Sequence, residues 1–468
     1  MSTEIVNSTE SVEAPLQLST YLAQPGENPA LSRAPALKTS AEAAAAIQFL
    51  PDFLPDSGIE PDNRILIPTN VHRRLFMDVA QSVRASAIER DLSNPAYRSK
   101  VIAAHRFINH RRDTHGHSVL ASDVTIPNVS TKVHLVVVPN GIGQHALISA
   151  CQRVFQTENM LFEVPLEGRP KGIRFARMDT ITAPFPPDGN PAKFGRTLVK
   201  QVSPIFDVRH ALKAIREDEV GTAVQSLLLS LNVGMVIVGP VSHHMSKSRV
   251  AAGMWSMLGQ IAAATGIPFV IVGTAGAAIN LLEQGDAEAA LTSRGVYCID
   301  PFPLNSTKWE LTAGSVWLKY FRAAGAEPFA WFTSALHAVS LGRVELAFKV
   351  GAFVAGTWST GGKVELSKAQ FIAYAYQALL LQQPMLEAVR RAQRAGTFTL
   401  GRIRWFSDWL QLPAVVQSVL ALDGDNDSEK ARAIMTAAAL LEKLVKDANR
   451  AIQPACTPSA KELQKAAT

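Results

Sequence analysis

Gly141 and Gly143 carry the most pointed chemistry in the chain. They stand in Pro139-Asn140-Gly141-Ile142-Gly143-Gln144-His145, after the apolar run Val133–Val138 and ahead of a helical pattern over Ala146–Phe155. A glycine-rich turn between a strand and a helix presents backbone N–H groups to phosphates at the positive end of that helix. The phosphate-binding pattern G-x-x-x-x-G-K-[ST] adds a lysine for the β- and γ-phosphates and a hydroxyl for Mg²⁺. With Gly143 as the second glycine, Val138 stands at the first, Gln144 at the lysine and His145 at the Ser/Thr. The glycines are kept, but the cation and the metal ligand are not. Gly-x-Gly after a strand is also an ordinary tight turn, so this segment alone does not decide.

A second apolar run, Met235–Val238, ends in Gly239-Pro240. In a nucleotide-hydrolysing site such a strand ends in Asp-Glu, the first holding Mg²⁺ and the second polarising water. Neither carboxylate is present, and proline cannot act as a base. His243 and His244 follow; adjacent histidines on a loop are metal ligands less often than solvent-facing or capping residues. A third run, Pro268–Val272, leads to Thr274, placed either to sense a phosphate at a strand end or to cap the next helix. Arg294, in Leu291-Thr292-Ser293-Arg294, is either a finger towards a neighbouring subunit's nucleotide or a surface loop residue.

Contacts to DNA phosphates need cations gathered on one surface. The candidates are Arg106, Arg111 and Arg112, then Lys193, Arg196 and Lys200 near one helix face, then Lys247 and Arg249. A further basic stretch, Arg390, Arg391, Arg394, Arg402 and Arg404, is interleaved with Phe398, Trp405 and Trp409. Each group is also readable as a solvated helix face. No regular metal-ligand spacing occurs. Cys151, Cys298 and Cys456 are far apart, which argues against zinc or a disulfide framework and fits a reducing cytoplasm.

These residues need rigid elements to hold them. The 468 residues are 47% hydrophobic and 18% charged, with a formal net charge of +6, a globular profile that permits a nucleic-acid partner without demanding one. No signal peptide is evident, and no run reaches the about 18 apolar residues a membrane span needs. Residues 1–65 are rich in Ser, Glu, Ala and Pro and read as a disordered tail with one short helix near Ala41–Leu50. A helical pattern covers Val71–His110. Residues 66–308 then alternate strands (Val133–Val138, Gly172–Met178, Met235–Val238, Pro268–Val272, Val296–Ile299) with helices, which predicts an α/β domain on a parallel sheet. Residues 309–412 read as all-helical, with one helix over Ser334–Ala355. Residues 413–468 read as a charged helix over Ser428–Arg450 and a tail.

Seven segments in order resemble the TniB/TnsC family of AAA+ transposition regulators: VVVPNGIGQHALISA, FARMDTITAPFPPDGNPAKFGRTLVKQV, VGMVIVGPVSHHM, GIPFVIVGTAGA, LTSRGVYCIDPFP, LGRVELAFKV and QQPMLEAVRRAQ. They span roughly residues 70–395. The resemblance implies a P-loop AAA+ α/β fold with an all-helical lid, in a protein that polymerises along DNA and links a target selector to a transposase. Carried over by position, Gly141 and Gly143 match the phosphate loop, Thr274 matches sensor 1 and Arg294 the family's Leu-Ala-Ser-Arg arginine. Gln144, His145, Gly239 and Pro240 occupy the Lys, Thr, Asp and Glu positions. The expectation is therefore a cytoplasmic pseudo-ATPase, an oligomer that needs no cofactor and binds ATP and Mg²⁺ only if the degenerate site still accepts them. Its expected partners are DNA, the transposase, target-selection proteins and an active TnsC-type ATPase. The alternatives are a residual ATPase and a purely structural oligomer scaffold.

Overall fold

The computed structural model describes residues 18–48, 65–109, 126, 128–155, 158–165, 172–206, 219–322, 327–360, 366–395 and 406–413. Its strands, in chain order, are β1 (Ser19–Leu22), β2 (Val133–Val137), β3 (Met160–Val164), β4 (Ile173–Arg177), β5 (Thr180–Ala183), β6 (Met235–Val241), β7 (Phe269–Gly273) and β8 (Val296–Cys298). The helices of the N-terminal part are α1 (Pro29–Arg33), α2 (Ser40–Ile47), α3 (Asn70–Glu89) and α4 (Pro95–Asn109). Those of the α/β part are α5 (Gln144–Phe155), α6 (Pro191–Val202), α7 (Val220–Ser230), α8 (His243–Ser246), α9 (Arg249–Thr265), α10 (Ala275–Leu282) and α11 (Asp286–Leu291). The rest are α12 (Thr307–Tyr320), α13 (Phe332–Ser340), α14 (Val344–Thr360), α15 (Lys368–Ala378) and α16 (Gln383–Ala395).

Five strands form a parallel sheet in the order β5-β6-β7-β2-β8. Its central strands are apolar and buried on both faces, as a sheet covered by crossover helices requires. Alternate residues serve opposite sides. Val133, Leu135, Val236, Val238, Phe269 and Ile271 pack with α6, α7, α9 and α10. Val136, Val138, Met235, Ile237, Val270 and Val272 pack with α2, α3 and α5. Side-chain caps start the helices around the strand ends. Asn190 caps α6, with Pro191 in its first turn; Ser248 caps α9 and Thr274 caps α10. The helices α12–α16 form a separate aromatic core around Trp309, Trp317, Phe321, Phe332 and Phe371. The predicted parallel sheet flanked by helices and followed by a helical lid is thus the observed architecture. Among the described residues no helix is long and apolar enough to cross a membrane.

Four features differ from the sequence reading. The predicted strand Gly172–Met178 becomes β4, which leaves the main sheet and pairs antiparallel with β3, while β1 pairs parallel with β3. The main-sheet strand is the shorter β5, entered through a turn at Met178–Asp179. The short helix expected near Ala41–Leu50 is α2 (Ser40–Ile47), but the reading of the rest of residues 1–65 as a tail is corrected for residues 18–34, which form β1 and α1. β1 joins the small sheet, and α2 buries Ala43 and Ile47 against α3 and α5. Small side chains allow that close approach, and Thr39 with Glu42 forms a capping box that is legible as T-x-x-E. The helical pattern from Val71 breaks at Arg90–Asn94 into α3 and α4, with Pro95 beginning the second. The helix expected over Ser334–Ala355 is two, because Leu341 adopts a left-handed conformation (φ 55°) between them. The helix read over Ser428–Arg450 lies outside the described residues.

A buried polar network joins the small sheet to the main one. The Arg177 guanidinium donates to Asp179 (2.7 Å) and to the carbonyl of Asn232 (2.7 Å). The Tyr97 hydroxyl donates to Asn232 Oδ1 (2.7 Å), and Arg90 donates to the Val233 carbonyl (2.8 Å). Burial and the neighbouring guanidiniums act on Tyr97 in opposite senses, and burial wins, raising its pKa.

Candidate functional site

The loop Pro139–Gly143 leaves the carboxyl end of β2, is tied to β7 by Val138 N–H donating to the Gly273 carbonyl (2.8 Å), and enters α5. Gly141 (φ 81°) and Gly143 (φ 117°) take backbone conformations that side chains disfavour. The turn geometry expected from the glycines is therefore present. What fills it is different. The Gln144 side chain is buried and folds back inward, its Nε2 donating to the Val138 carbonyl at 2.6 Å. It closes the loop on itself rather than facing an anion. His145 is exposed on the first turn of α5.

The helical lid shuts the loop from above. Leu346 of α14 lies over Gly141 so closely that a Cβ there would sit 2.8 Å from Leu346 Cγ. The Glu345 N–H donates to the Gly141 carbonyl (3.0 Å). The space left between Ile65, Gly143, His145, Ala146, Val344, Glu345 and Phe348 is about 10 Å³. That is about the size of one water and far below the several hundred Å³ of a small-ligand pocket. Gly141→Ala is expected to cost about 1–3 kcal/mol, through strain at positive φ and displacement of Leu346. Chemical denaturation would show it as a lowered midpoint with an unchanged slope; an unshifted midpoint would mean the lid is loosely seated.

The strand expected to supply a metal ligand departs from that pattern in its backbone as well as in its side chains. β6 carries a register shift between Val238 and Val241. Gly239 has φ 140°, and a Cβ there would meet the Val272 carbonyl oxygen at 2.4 Å. The backbone here admits glycine alone. Thr274 is both a helix cap and a polar contact at the strand end: its Oγ1 accepts from Ala277 N–H (3.2 Å) and donates to Asp408 Oδ1. Arg294 is exposed and its N–H bonds the carbonyl of Val133, at the start of β2. It therefore sits at the opposite end of the sheet from the loop, about 15 Å away at about 3.3 Å per residue. The chain does not bring it to its own loop.

The sequence reading missed the group that occupies the strand ends. Residues 406–413, read as the end of the lid, cross back over β2, β6 and β7. The Asp408 carbonyl accepts from Asn140 N–H (2.8 Å). Its carboxylate accepts from His243 N–H (2.8 Å) and from the Thr274 hydroxyl. Ser407 packs over Gly276, where a Cβ would meet Ser407 Oγ at 2.4 Å. Arg343, which lies between α13 and α14 and is 1% exposed, donates to the carbonyls of Asn140 and Trp409 and lies over the Trp409 ring (5.3 Å). Burial pushes its pKa down to about 10, still well above neutrality. The phosphate-loop pattern contains nothing that predicts this segment.

The basic candidates fall into two sets. Lys193, Arg196 and Lys200 are exposed on α6, and Lys247 and Arg249 are exposed before and at the start of α9. The two starts adjoin: Ser248 Oγ donates to the Asp188 carbonyl (3.1 Å), and Gly189 rests against Ala251. Two groups about fifty residues apart in sequence therefore share one surface, with Lys193 also paired to Asp188. Arg106 is exposed on α4, while Arg111 and Arg112 lie outside the described residues. Arg390 and Arg391 pair with Glu387 on their own helix. Phe398, Arg402, Arg404 and Trp405 lie outside the described residues, as does the Arg394 side chain. Among the described residues no cluster of three or more His, Cys, Asp or Glu could hold a metal ion.

No protein-family model and no curated protein matches the chain. Among solved structures, it is similar to the ORC2 protein of Aeropyrum pernix in its ADPNP–ADP complexes, at 12% identity and a TM-score of 0.37, covering 74% of this chain and 87% of that one. The ADP form of the same protein is similar at 13% identity and a TM-score of 0.35, covering 68% and 78%.

Proposed function

We propose that this chain is a non-hydrolysing, AAA+-like accessory subunit of a DNA-transposition system, acting through DNA and protein contacts rather than nucleotide turnover. The observation that carries the loss of turnover is the closed phosphate loop. Gln144 is turned into it, the lid leaves room for about one water, and the β6 position of the missing carboxylate admits glycine alone. The regulatory role in transposition rests on the seven ordered segments. The shared surface of α6 and α9 supports a DNA contact, since exposed Lys193, Arg196, Lys200, Lys247 and Arg249 suit counterion release from a phosphate backbone. The partners that complete this reading are the transposase, a target selector and an active TnsC-type regulator, in a homo- or hetero-oligomer in the cytoplasm.

Two measurements test it. Calorimetric titration with ATP, with and without Mg²⁺, is expected to show no saturable heat, and turnover is expected at the blank rate. Duplex DNA should bind with an affinity that falls steeply with salt. The Arg196→Glu, Lys200→Glu, Arg249→Glu variant should weaken binding on all sequences alike and lower the salt slope by about 0.9 for each phosphate it no longer neutralises. Saturable ATP binding would overturn the non-nucleotide reading. Failure to bind DNA, transposase, selector or regulator would overturn the accessory role.

A further inference from the structure

We propose that residues 406–413 are an intrachain latch, and that the Asp408 carboxylate is the anion that locks the helical lid onto the phosphate loop in place of a bound ligand. The inference rests on the reading of this loop as a lapsed phosphate site and adds what has taken over its mechanical part. Three bodies meet at Asn140. The base contributes the Asn140 N–H and the donors at the strand ends, His243 N–H and the Thr274 hydroxyl. The segment contributes the Asp408 carbonyl and carboxylate. The lid contributes Arg343, which holds the carbonyls of both Asn140 and Trp409.

The chemistry suits an anion. Thr274 Oγ1 and a backbone N–H at the start of a helical turn converge on one carboxylate oxygen, and charge-assisted bonds of this kind are about twice as strong as neutral ones. Gly276 leaves the room, since any side chain there would displace Ser407 and Asp408. The segment is also held by apolar contact: Leu410 is buried in the core beneath the sheet, with Phe406, Trp409 and Leu412 packed beside it. Arg343 Nε is buried without a partner, so the guanidinium is held by two carbonyls and the Trp409 ring alone. Remove the segment and a buried cation is left with one of its two acceptors, which favours lid opening.

The test uses the full chain and hydrogen exchange. The Glu345 amide, which donates from the lid to Gly141, and the Asn140 amide report closure. In Asp408→Gly both should exchange about tenfold faster or more, while the amides of β6 and β7 stay protected. Formate should restore the protection of Glu345 in this variant by refilling the anion position; formamide, of the same shape without charge, should not. Asp408→Asn guards against misfolding: its side-chain carbonyl can still accept from His243 N–H and the Thr274 hydroxyl without the charge, so it should show a smaller rise without formate rescue. Unchanged exchange at Glu345 in both variants would overturn the latch, as would equal rescue by formamide. Global loss of protection in Asp408→Gly together with wild-type behaviour in Asp408→Asn would overturn the role of the charge. None of these outcomes depends on whether the wild-type chain binds ATP or DNA, so the latch and the functional reading fail separately.

Discussion

Replacing Gly239 with aspartate should break the middle of the sheet rather than recreate a metal ligand. The residue sits at φ 140° with the Val272 carbonyl oxygen 2.4 Å from where a Cβ would be. Strain at such a backbone costs about 1–3 kcal/mol, and pushing a β7 carbonyl aside adds about as much again. An unpaired carboxylate in this buried position adds desolvation. The sum is several kcal/mol, which for domains of this size lowers the melting temperature by roughly 10 °C. Gly239→Ala should lose most of that stability too, because the obstruction is steric. The quadruple variant Gln144→Lys, His145→Thr, Gly239→Asp, Pro240→Glu, which installs the full nucleotide-site pattern, should therefore show no ATP turnover above blank. A well-folded quadruple variant that hydrolyses ATP would show that the side chains, and not the backbone, are what keep this site from turnover.

The second large effect is on acid stability. Burial holds both His72 and His134 down to about 4, with Lys308 adding to the effect at His72; at His134 Asp78 pulls upward and Arg294 downward. His72 uses Nδ1 to accept from the Thr69 N–H (3.1 Å), standing where a capping-box glutamate would, so protonation at that nitrogen breaks the cap. His134 is fully buried in β2, its Nε2 3.0 Å from the Ser82 hydroxyl. The folded pKa of each lies below the unfolded value near 6.5, so the unfolded chain binds protons first. Stability is then full above about pH 6.5 and falls as the pH drops towards 4. At about 1.4 kcal/mol per unit, each histidine accounts for up to about 3 kcal/mol at the lower end. Denaturant unfolding at steps between pH 7.5 and 4.5 reads this directly. The double variant His134→Leu, Ser82→Ala should flatten the slope by about one proton; an unchanged slope would mean His134 is hydrated in the folded state.

The central strands were legible because their chemistry is local. β2, β6 and β7 are dominated by Val, Ile and Leu, interrupted in β2 by His134 and in β6 by Gly239-Pro240, and such a run suits a strand buried on both faces. β5 was harder: Thr180–Ala183 is four residues long and half polar, and its neighbour β4 reads more strongly as a strand although it serves another sheet. The split between α13 and α14 was hidden because Leu341, not a glycine, takes the left-handed position, with Gly342 just beyond. At the site, the glycines and the missing lysine could be read from spacing alone. Asp408 could not. Its partners Thr274 and His243 are 134 and 165 residues away, so the contact exists only once the lid has folded back.

The short connection from β8 into the lid has a mechanical consequence. Phe302 N–H donates to the Gly342 carbonyl (2.9 Å), and His337 Nε2 donates to the Phe302 carbonyl (2.9 Å). A Cβ at Gly342 would come within 2.0 Å of that same carbonyl oxygen. The connector is thus fastened to the α13–α14 corner by two hydrogen bonds and a close backbone approach. A side chain at position 342 would therefore have to break the seam between the β8 exit and the helical bundle, since the obstruction is backbone and not a movable side chain.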